Sequence, residues 1–335
     1  MKRIIAIIVI LTLVFSISAC EKDVETINQQ VNNQKEEKLD ENKFYEKITS
    51  SVSRPVAIMI DNDSDVARPQ TGLEDAYLIY EIMVEGTSTR MMALFIDSDT
   101  TKVGPVRSSR HYFLDYALEN DAIYAHCGYS PQAANDIISL GINNINEINS
   151  NNGKNFFRNK SKKAPHNLYA SLPELLSYAE KIGYRKETNK DKVFSYRKTD
   201  DDLVHGESVN KIELEYSRDY LVSYKYNAEN GMYDRYINGE KHYSESSGEG
   251  LSVENILVYK LTNYSIDSVG RQNLENIGSG SGFYLSNGKS VPITWSKSSR
   301  GGQTVYKTNN GEELILNPGN TFVQIMPQGA NIFME

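Results

Sequence analysis

The sequence is poor in several features that would assign it to a familiar class. Its 335 residues include 2 cysteines, 1 tryptophan and 5 histidines. Two cysteines exclude a disulfide framework and a zinc site closed by cysteines. Lys and Arg number 36 against 44 Asp and Glu, and the formal charge of -8 argues against a nucleic-acid partner. Walker, dinucleotide-binding and His-Glu-x-x-His motifs are absent, so we expect no cofactor.

Tyrosine and ordinary apolar residues are plentiful instead. The chain is 39% hydrophobic and has 22 Tyr against 10 Phe. This composition and length predict two folded domains rather than a disordered or polytopic membrane protein. The tyrosines suggest a contact surface for a polysaccharide or protein, although strand propensity alone accounts for many of them.

The N-terminus resembles a bacterial lipoprotein signal. Lys2 and Arg3 precede an apolar run over residues 4–17, which is short for a membrane span, and small residues lead to Cys20. We therefore expect a signal peptide over residues 1–19 and a diacylglyceryl group on Cys20, holding the protein on the extracytoplasmic face of the cell membrane. The alternative is a transmembrane anchor with an incidental cysteine.

The segment after Cys20 is polar. Residues 20–53 are rich in Asn, Gln, Glu and Lys and contain few large apolar side chains. Such a composition cannot bury enough surface to order itself, so it predicts a flexible tether with at most a transient helix.

Residues 54–185 predict an α/β domain. Apolar runs predict strands over residues 55–60, 77–84, 91–96 and 122–127. Helices are predicted to begin at Pro105, at Pro131 with Ser130 as N-cap, and after Ser171 in a capping box. Strands interleaved with helices are typical of this class.

The second half of the chain has a different pattern. Residues 186–207 are dense in charge and predict a linker. Residues 208–335 alternate apolar and polar side chains, with Asn-Gly pairs at 238–239, 287–288 and 310–311 that predict hairpins. We expect an all-β antiparallel domain, sandwich or barrel-like.

Several longer strings resemble the YerB-like bacterial lipoproteins, a two-domain family of unknown function. The resemblance spans residues 54–327 and implies a lipoprotein with this domain pair. One departure is Cys127, where the family usually has an aliphatic residue. The strings are VEGTSTR at 84–90, GPVRSSR at 104–110, RPQTG at 68–72, APHNLY at 164–169, GSG at 278–280 and LNPGNT at 316–321.

Three arginines are the first candidates for a ligand site. Arg107 and Arg110 would share one face of the helix predicted from Pro105, where the helix dipole already favours an anion. Arg90 opens the strand predicted before this helix and could join them. Cations placed there suggest a phosphate, pyrophosphate or carboxylate ligand. The alternative is a set of ordinary salt bridges to Glu81, Glu85 or Asp115.

Other candidates come from two further segments. His126 lies at the end of a predicted strand, where α/β sheets usually bind ligands, and His166 with Asn167 could complete the site. Each histidine could equally be structural. Cys127 shares a strand face with core residues, and N-cap duty explains Ser130, so neither is expected to be a nucleophile. The histidine spacing fits no metal motif.

These observations leave three hypotheses. The first is a binding module for an anionic envelope ligand, a cell-wall polymer or a partner protein. The second is an envelope-assembly phosphotransferase, loosely similar to the LytR–CpsA–Psr enzymes, which would need Mg²⁺. The third is a structural envelope or spore-associated protein.

Overall fold

A computed structural model describes residues 43–335 apart from 64, 151, 152 and 204. The predicted signal peptide, Cys20 and the tether as far as residue 42 lie outside the described residues. In the remainder the predicted fold class is confirmed. The first half mixes helices with strands, and the second half is mostly antiparallel β-sheet.

The first half contains five helices and seven strands among the described residues. Its helices are α1 (residues 43–50), α2 (His111–Glu119), α3 (Pro131–Ser139), α4 (Glu147–Ser150) and α5 (Leu172–Lys181). Its strands are β1 (Val56–Asn62), β2 (Leu78–Met83), β3 (Thr89–Phe95), β4 (Ile123–His126), β5 (Asn144–Asn146), β6 (Phe156–Arg158) and β7 (Leu168–Ala170).

The second half consists of short and medium strands. They are β8 (Ser195–Tyr196), β9 (Glu207–Ser208), β10 (Lys211–Ser217), β11 (Tyr220–Asn227), β12 (Met232–Ile237), β13 (Glu240–Lys241), β14 (Ser252–Val253), β15 (Asn255–Leu261), β16 (Asn263–Ser265), β17 (Gln272–Leu274), β18 (Gly278–Ser286), β19 (Lys289–Lys297), β20 (Val305–Thr308), β21 (Ile315–Leu316), β22 (Thr321–Pro327) and β23 (Asn331–Met334).

One 11-stranded sheet runs through both halves. Its order is β20-β19-β18-β15-β22-β2-β3-β1-β4-β5, with β9 added beside β19. β22 lies between β15 and β2 and is parallel to both, so it joins the halves by backbone hydrogen bonds. The halves predicted as separate domains therefore share a single sheet.

The long sheet is covered on both faces. In β1, Ile58 and Ile60 face a core that includes Leu214 and Tyr224 of a second, six-stranded sheet built on β10–β12 and β23. Ala57 and Met59 face the opposite core with α2. Strand side chains alternate between faces, so a buried strand must be apolar on both.

The helix predicted from Pro105 begins six residues later than expected. Residues 105–110 are extended, and α2 starts at His111. The nitrogen of Arg107 donates to Met59 O, and Pro105 O accepts from the nitrogen of Asp61. On the other side the nitrogen of Cys127 donates to Arg107 O. We call residues 105–110 the strap: its backbone pairs between the diverging ends of β1 and β4, and this takes the place of helical hydrogen bonds.

Two segments predicted to be loose are packed on the fold. Helix α1 lies within the predicted tether, yet Ile48 is 1% exposed and the Phe44 ring contacts Tyr196 edge-on. Tyr196 belongs to the predicted linker and is itself buried, and β8 pairs with β21. The described part of the tether and the linker therefore contribute to the core.

Turn and cap predictions fared unevenly. Asn287 and Gly288 have positive φ in the tight turn between β18 and β19, as an Asn-Gly hairpin requires. Ser130 caps α3 by accepting from the nitrogen of Ala133 at 3.2 Å. Ser171 occupies the N-cap position of α5, but its side chain makes no capping hydrogen bond.

Tyrosine is chiefly a core residue here, which corrects its interpretation as a contact surface. Nine of the tyrosines are among the largest fully buried side chains. Five more, Tyr77, Tyr196, Tyr216, Tyr220 and Tyr306, are also buried. The nine are Tyr80, Tyr112, Tyr116, Tyr124, Tyr169, Tyr224, Tyr233, Tyr259 and Tyr284.

Candidate functional site

A fully buried carboxylate at the end of β1 organises the site. Asp61 has no exposed side-chain surface, and two cationic or titratable side chains converge on its Oδ2. Arg107 Nε lies 2.9 Å from it and His166 Nδ1 lies 2.7 Å from it. The strap supplies the arginine. The loop before β7 supplies the histidine, and the nitrogen of Val106 donates to Leu168 O to hold loop and strap together.

Asp63 borders this group toward solvent. Its side chain is 45% exposed, its Oδ2 lies 4.0 Å from Arg107 Nη2, and Ser88 donates a hydroxyl hydrogen bond to it. The guanidinium and the imidazole remain partly exposed, at 19% and 15% of their side-chain surfaces. The buried carboxylate therefore orients two side chains whose outer atoms face solvent.

Arg90 and Arg110 lie behind Arg107 and have a different role. Both pair with Glu85, whose Oε1 accepts from Arg110 Nε and whose Oε2 is 3.7 Å from Arg90 Nη2. Burial acts to raise the pKa of Glu85, but the hydrogen bond and charges of the two arginines outweigh it and lower the pKa. Burial and the charge of Arg110 lower the pKa of Arg90 to about 10, so it is cationic at neutral pH. These two arginines form the salt bridges considered as the alternative.

His126 is a satisfied interior histidine. It is fully buried, Nδ1 lies 2.8 Å from Gly128 O, and Nε2 lies 3.1 Å from the Asn144 side-chain oxygen. Burial lowers the pKa of His126, and its hydrogen bonds to Gly128 and Asn144 only partly oppose that shift. Both ring nitrogens are occupied, so His126 has no free atom for a ligand.

Asn167 connects the site to a second exposed guanidinium. Its Oδ1 accepts from Arg158 Nη1 at 2.8 Å. Arg158 and Arg107 both act on the nearby Cys127 thiol. Burial and Glu147 raise the thiol pKa to about 11, and the two arginines only partly oppose that shift. Cys127 is therefore protonated at neutral pH, which fits the expectation that this residue is not a nucleophile.

The six predicted residues are thus only partly brought together. Arg107, His166 and Asn167 lie together at the surface, Arg90 and Arg110 support them from behind, and His126 stands apart. The prediction missed Asp61, Asp63 and Arg158. A sequence signal for two of them existed, because Asp-Asn-Asp stands at the end of the apolar run that forms β1, where a sheet usually presents polar groups. Within the described ranges, no three His, Cys, Asp or Glu side chains cluster as metal ligands.

Comparisons with known proteins identify the relatives of this chain. The profile described as "Protein of unknown function (DUF3048) N-terminal domain" matches residues 45–185, and its C-terminal counterpart matches residues 212–323. The chain belongs to the DUF3048 family. The N-terminal match includes most of α1, consistent with the packing of that helix on the fold.

Two comparisons connect this DUF3048 chain with YerB, as the resemblance implied. It is 30% identical over 289 residues to the YerB lipoprotein of Bacillus subtilis (strain 168), covering 85% of this chain and 84% of the relative. The crystal structure of Bacillus subtilis YerB matches with a TM-score of 0.74 and 29% identity, covering 84% of this chain and 94% of that chain. Among the helices that the structure describes, none has the length and apolar character to span a bilayer.

Proposed function

We propose that this protein is a lipid-anchored binding module that holds a phosphate-bearing envelope polymer at Arg107, His166 and Arg158. Anchoring would occur through Cys20 on the extracytoplasmic face, an inference supported by the lipoprotein-like N-terminus and by the name of the YerB relative. The observation that carries the proposal is the pair of partly exposed side chains fixed on buried Asp61.

Preorganisation favours this site over an ordinary surface arginine. A side chain already fixed by a buried carboxylate loses less conformational entropy when it binds a ligand. The guanidinium presents several donors in one plane, a geometry suited to phosphate oxygens. Arg107 is therefore the expected primary contact.

The surroundings supply further positive charge. Residues 158–163 read Arg-Asn-Lys-Ser-Lys-Lys, and Arg158, Lys160 and Lys163 are exposed. Lys162 is held back because its ammonium donates to Ala67 O and Pro69 O. On a chain with a formal charge of -8, this loop is a local basic surface beside the site.

The balance of charge favours a singly charged phosphate group. Asp61 and Asp63 lie beside Arg107 and reduce the net positive charge of the site. A phosphodiester carries one negative charge and suits such a site better than a phosphomonoester, which carries nearly two. Phosphodiester-linked polymers are therefore the favoured ligand class.

The other two hypotheses have less support. A phosphotransferase would bind pyrophosphate through Arg90 and Arg110. Both side chains are buried and paired with Glu85, which speaks against that role. If the protein were purely structural, the contacts of Asp61 with Arg107 and His166 would serve only to stabilise the fold. The binding experiment below separates that last alternative from the proposal.

Binding of poly(glycerol phosphate), a phosphodiester polymer, to Arg107→Gln should be at least about 10-fold weaker than to the wild type, because a charge-assisted contact is lost. Isothermal titration calorimetry measures this at a temperature below the unfolding midpoint of both proteins. Any destabilisation caused by the loss of the Asp61–Arg107 ion pair then does not interfere. The matched control is Arg271→Gln, which removes a half-buried arginine paired with Asp267 in another part of the fold. Equal binding by Arg107→Gln and wild type, or no binding by either, would leave only the structural reading.

A further inference from the structure

The His166 imidazole is oriented as a proton acceptor. Asp61 Oδ2, 2.7 Å from Nδ1, is an acceptor, so Nδ1 must carry the hydrogen of the neutral ring. Nε2 then holds a bare lone pair. A buried carboxylate that fixes the tautomer in this way leaves Nε2 as the nitrogen that can accept a proton.

The basic nitrogen is available to a ligand. The His166 side chain is 15% exposed, and within the described part of the chain Nε2 makes no hydrogen bond to protein. Arg107 contacts the same carboxylate oxygen and is 19% exposed. One buried group therefore positions a base and a cation side by side.

We propose that this site hydrolyses phosphodiesters, with His166 as the general base and Arg107 stabilising the phosphoryl oxygens. The proposal rests on the proposed function for the placement of the phosphodiester. It adds a reaction to that binding role.

The reaction is balanced with water as the only co-reactant. The water oxygen forms a bond to phosphorus while its proton passes to His166 Nε2. The phosphorus–oxygen bond to the alcohol breaks, and the imidazolium returns the proton to that oxygen. The products are a phosphomonoester and a free alcohol.

We assign water as the nucleophile because three nearby nucleophilic side chains already make hydrogen bonds. The Cys127 thiol donates to Glu147 at 3.4 Å and is protonated at neutral pH. The Ser88 hydroxyl donates to Asp63, and the Ser130 hydroxyl caps α3. No covalent enzyme intermediate is therefore required.

The test compares hydrolysis of bis(p-nitrophenyl) phosphate and poly(glycerol phosphate) by wild type and His166→Gln. We expect kcat to fall about 100-fold or more, the usual contribution of a general base. His166→Ala should regain turnover when imidazole is added. The matched control is His111→Gln, which removes a half-buried histidine bonded to Asn273 and should keep full activity.

Each outcome has a distinct meaning. Wild type that binds poly(glycerol phosphate) without hydrolysing either substrate would overturn this inference and leave the proposed function standing. Equal turnover by His166→Gln would remove His166 as the base. A wild type that neither binds nor hydrolyses would overturn the proposed function itself.

Discussion

Buried charge at single residues distinguishes the interior of this protein from an ordinary apolar core. Glu81 and Arg235 are both fully buried and 2.7 Å apart. Glu81 also accepts from Asn62, Thr89, Tyr220 and Gln324. The network joins the long sheet to the six-stranded sheet, and a buried ion pair is tolerated only when its hydrogen-bonding groups are satisfied in this way.

His242 extends this network in a single protonation state. Arg235 Nε donates to its Nδ1 at 3.1 Å, and Nε2 lies 2.6 Å from Gln70 Oε1. Arginine has no lone pair to offer, so Nδ1 must be the acceptor and the ring must be neutral. Burial, with the charges of Arg235 and Arg68, holds the pKa of His242 well below its ordinary value.

A pH dependence of stability follows. Below about pH 6.5 the unfolded chain binds a proton at His242 that the folded chain refuses, so the free energy of unfolding falls as pH falls. Between about pH 6.5 and 5, His242→Gln should reduce this slope by up to about 1.4 kcal/mol per pH unit, as measured by urea unfolding. Buried His126 contributes a slope of the same sign, which remains.

The exposed His205 provides the control for that measurement. His205→Gln should keep the wild-type slope, because this exposed side chain lies outside the buried network of Glu81, Arg235 and His242. A slope unchanged by His242→Gln would contradict the neutral, buried assignment.

Helix α1 is part of the folded structure, because its Ile48 side chain is buried. Ile48→Ala should lower the free energy of unfolding by about 2–4 kcal/mol, because a buried aliphatic side chain leaves a cavity when truncated. Val52, 61% exposed and just beyond α1, supplies the control: Val52→Ala should change stability little. Chemical unfolding of both variants measures these changes. If Ile48→Ala were as stable as the wild type, α1 would not contribute to the core and would belong to the tether.

Local patterns explain which elements the sequence could predict. Strand β1 and the hairpin turn at Asn287-Gly288 are determined by neighbouring residues, and both were expected. The strap was misassigned because Pro105 suits a helix start, while the backbone partners of residues 105–109 lie at least 19 residues away. Asp61 was missed for a similar reason, since its partners Arg107 and His166 are distant in sequence and meet only in the fold.

At the scale of the whole molecule, the two halves are expected to unfold together. β22 pairs with β2 over five residue pairs and with β15 over seven. A single cooperative transition should appear in calorimetry of the full chain. Residues 43–206 and 207–335, produced separately, should each lack stable tertiary structure, since each loses a neighbour of a buried strand. Two resolved transitions, or a folded half, would contradict this.

The position of β22 also bears on how the chain reaches its native state. β2 ends at Met83, and its parallel neighbour begins only at Thr321, near the C-terminus. Until the residues of β22 have been synthesised, β2 has an apolar edge with unpaired backbone groups. Such edges invite pairing with other chains, and distant contacts form slowly. The late arrival of one strand thus defines an interval in which this protein most needs protection from aggregation.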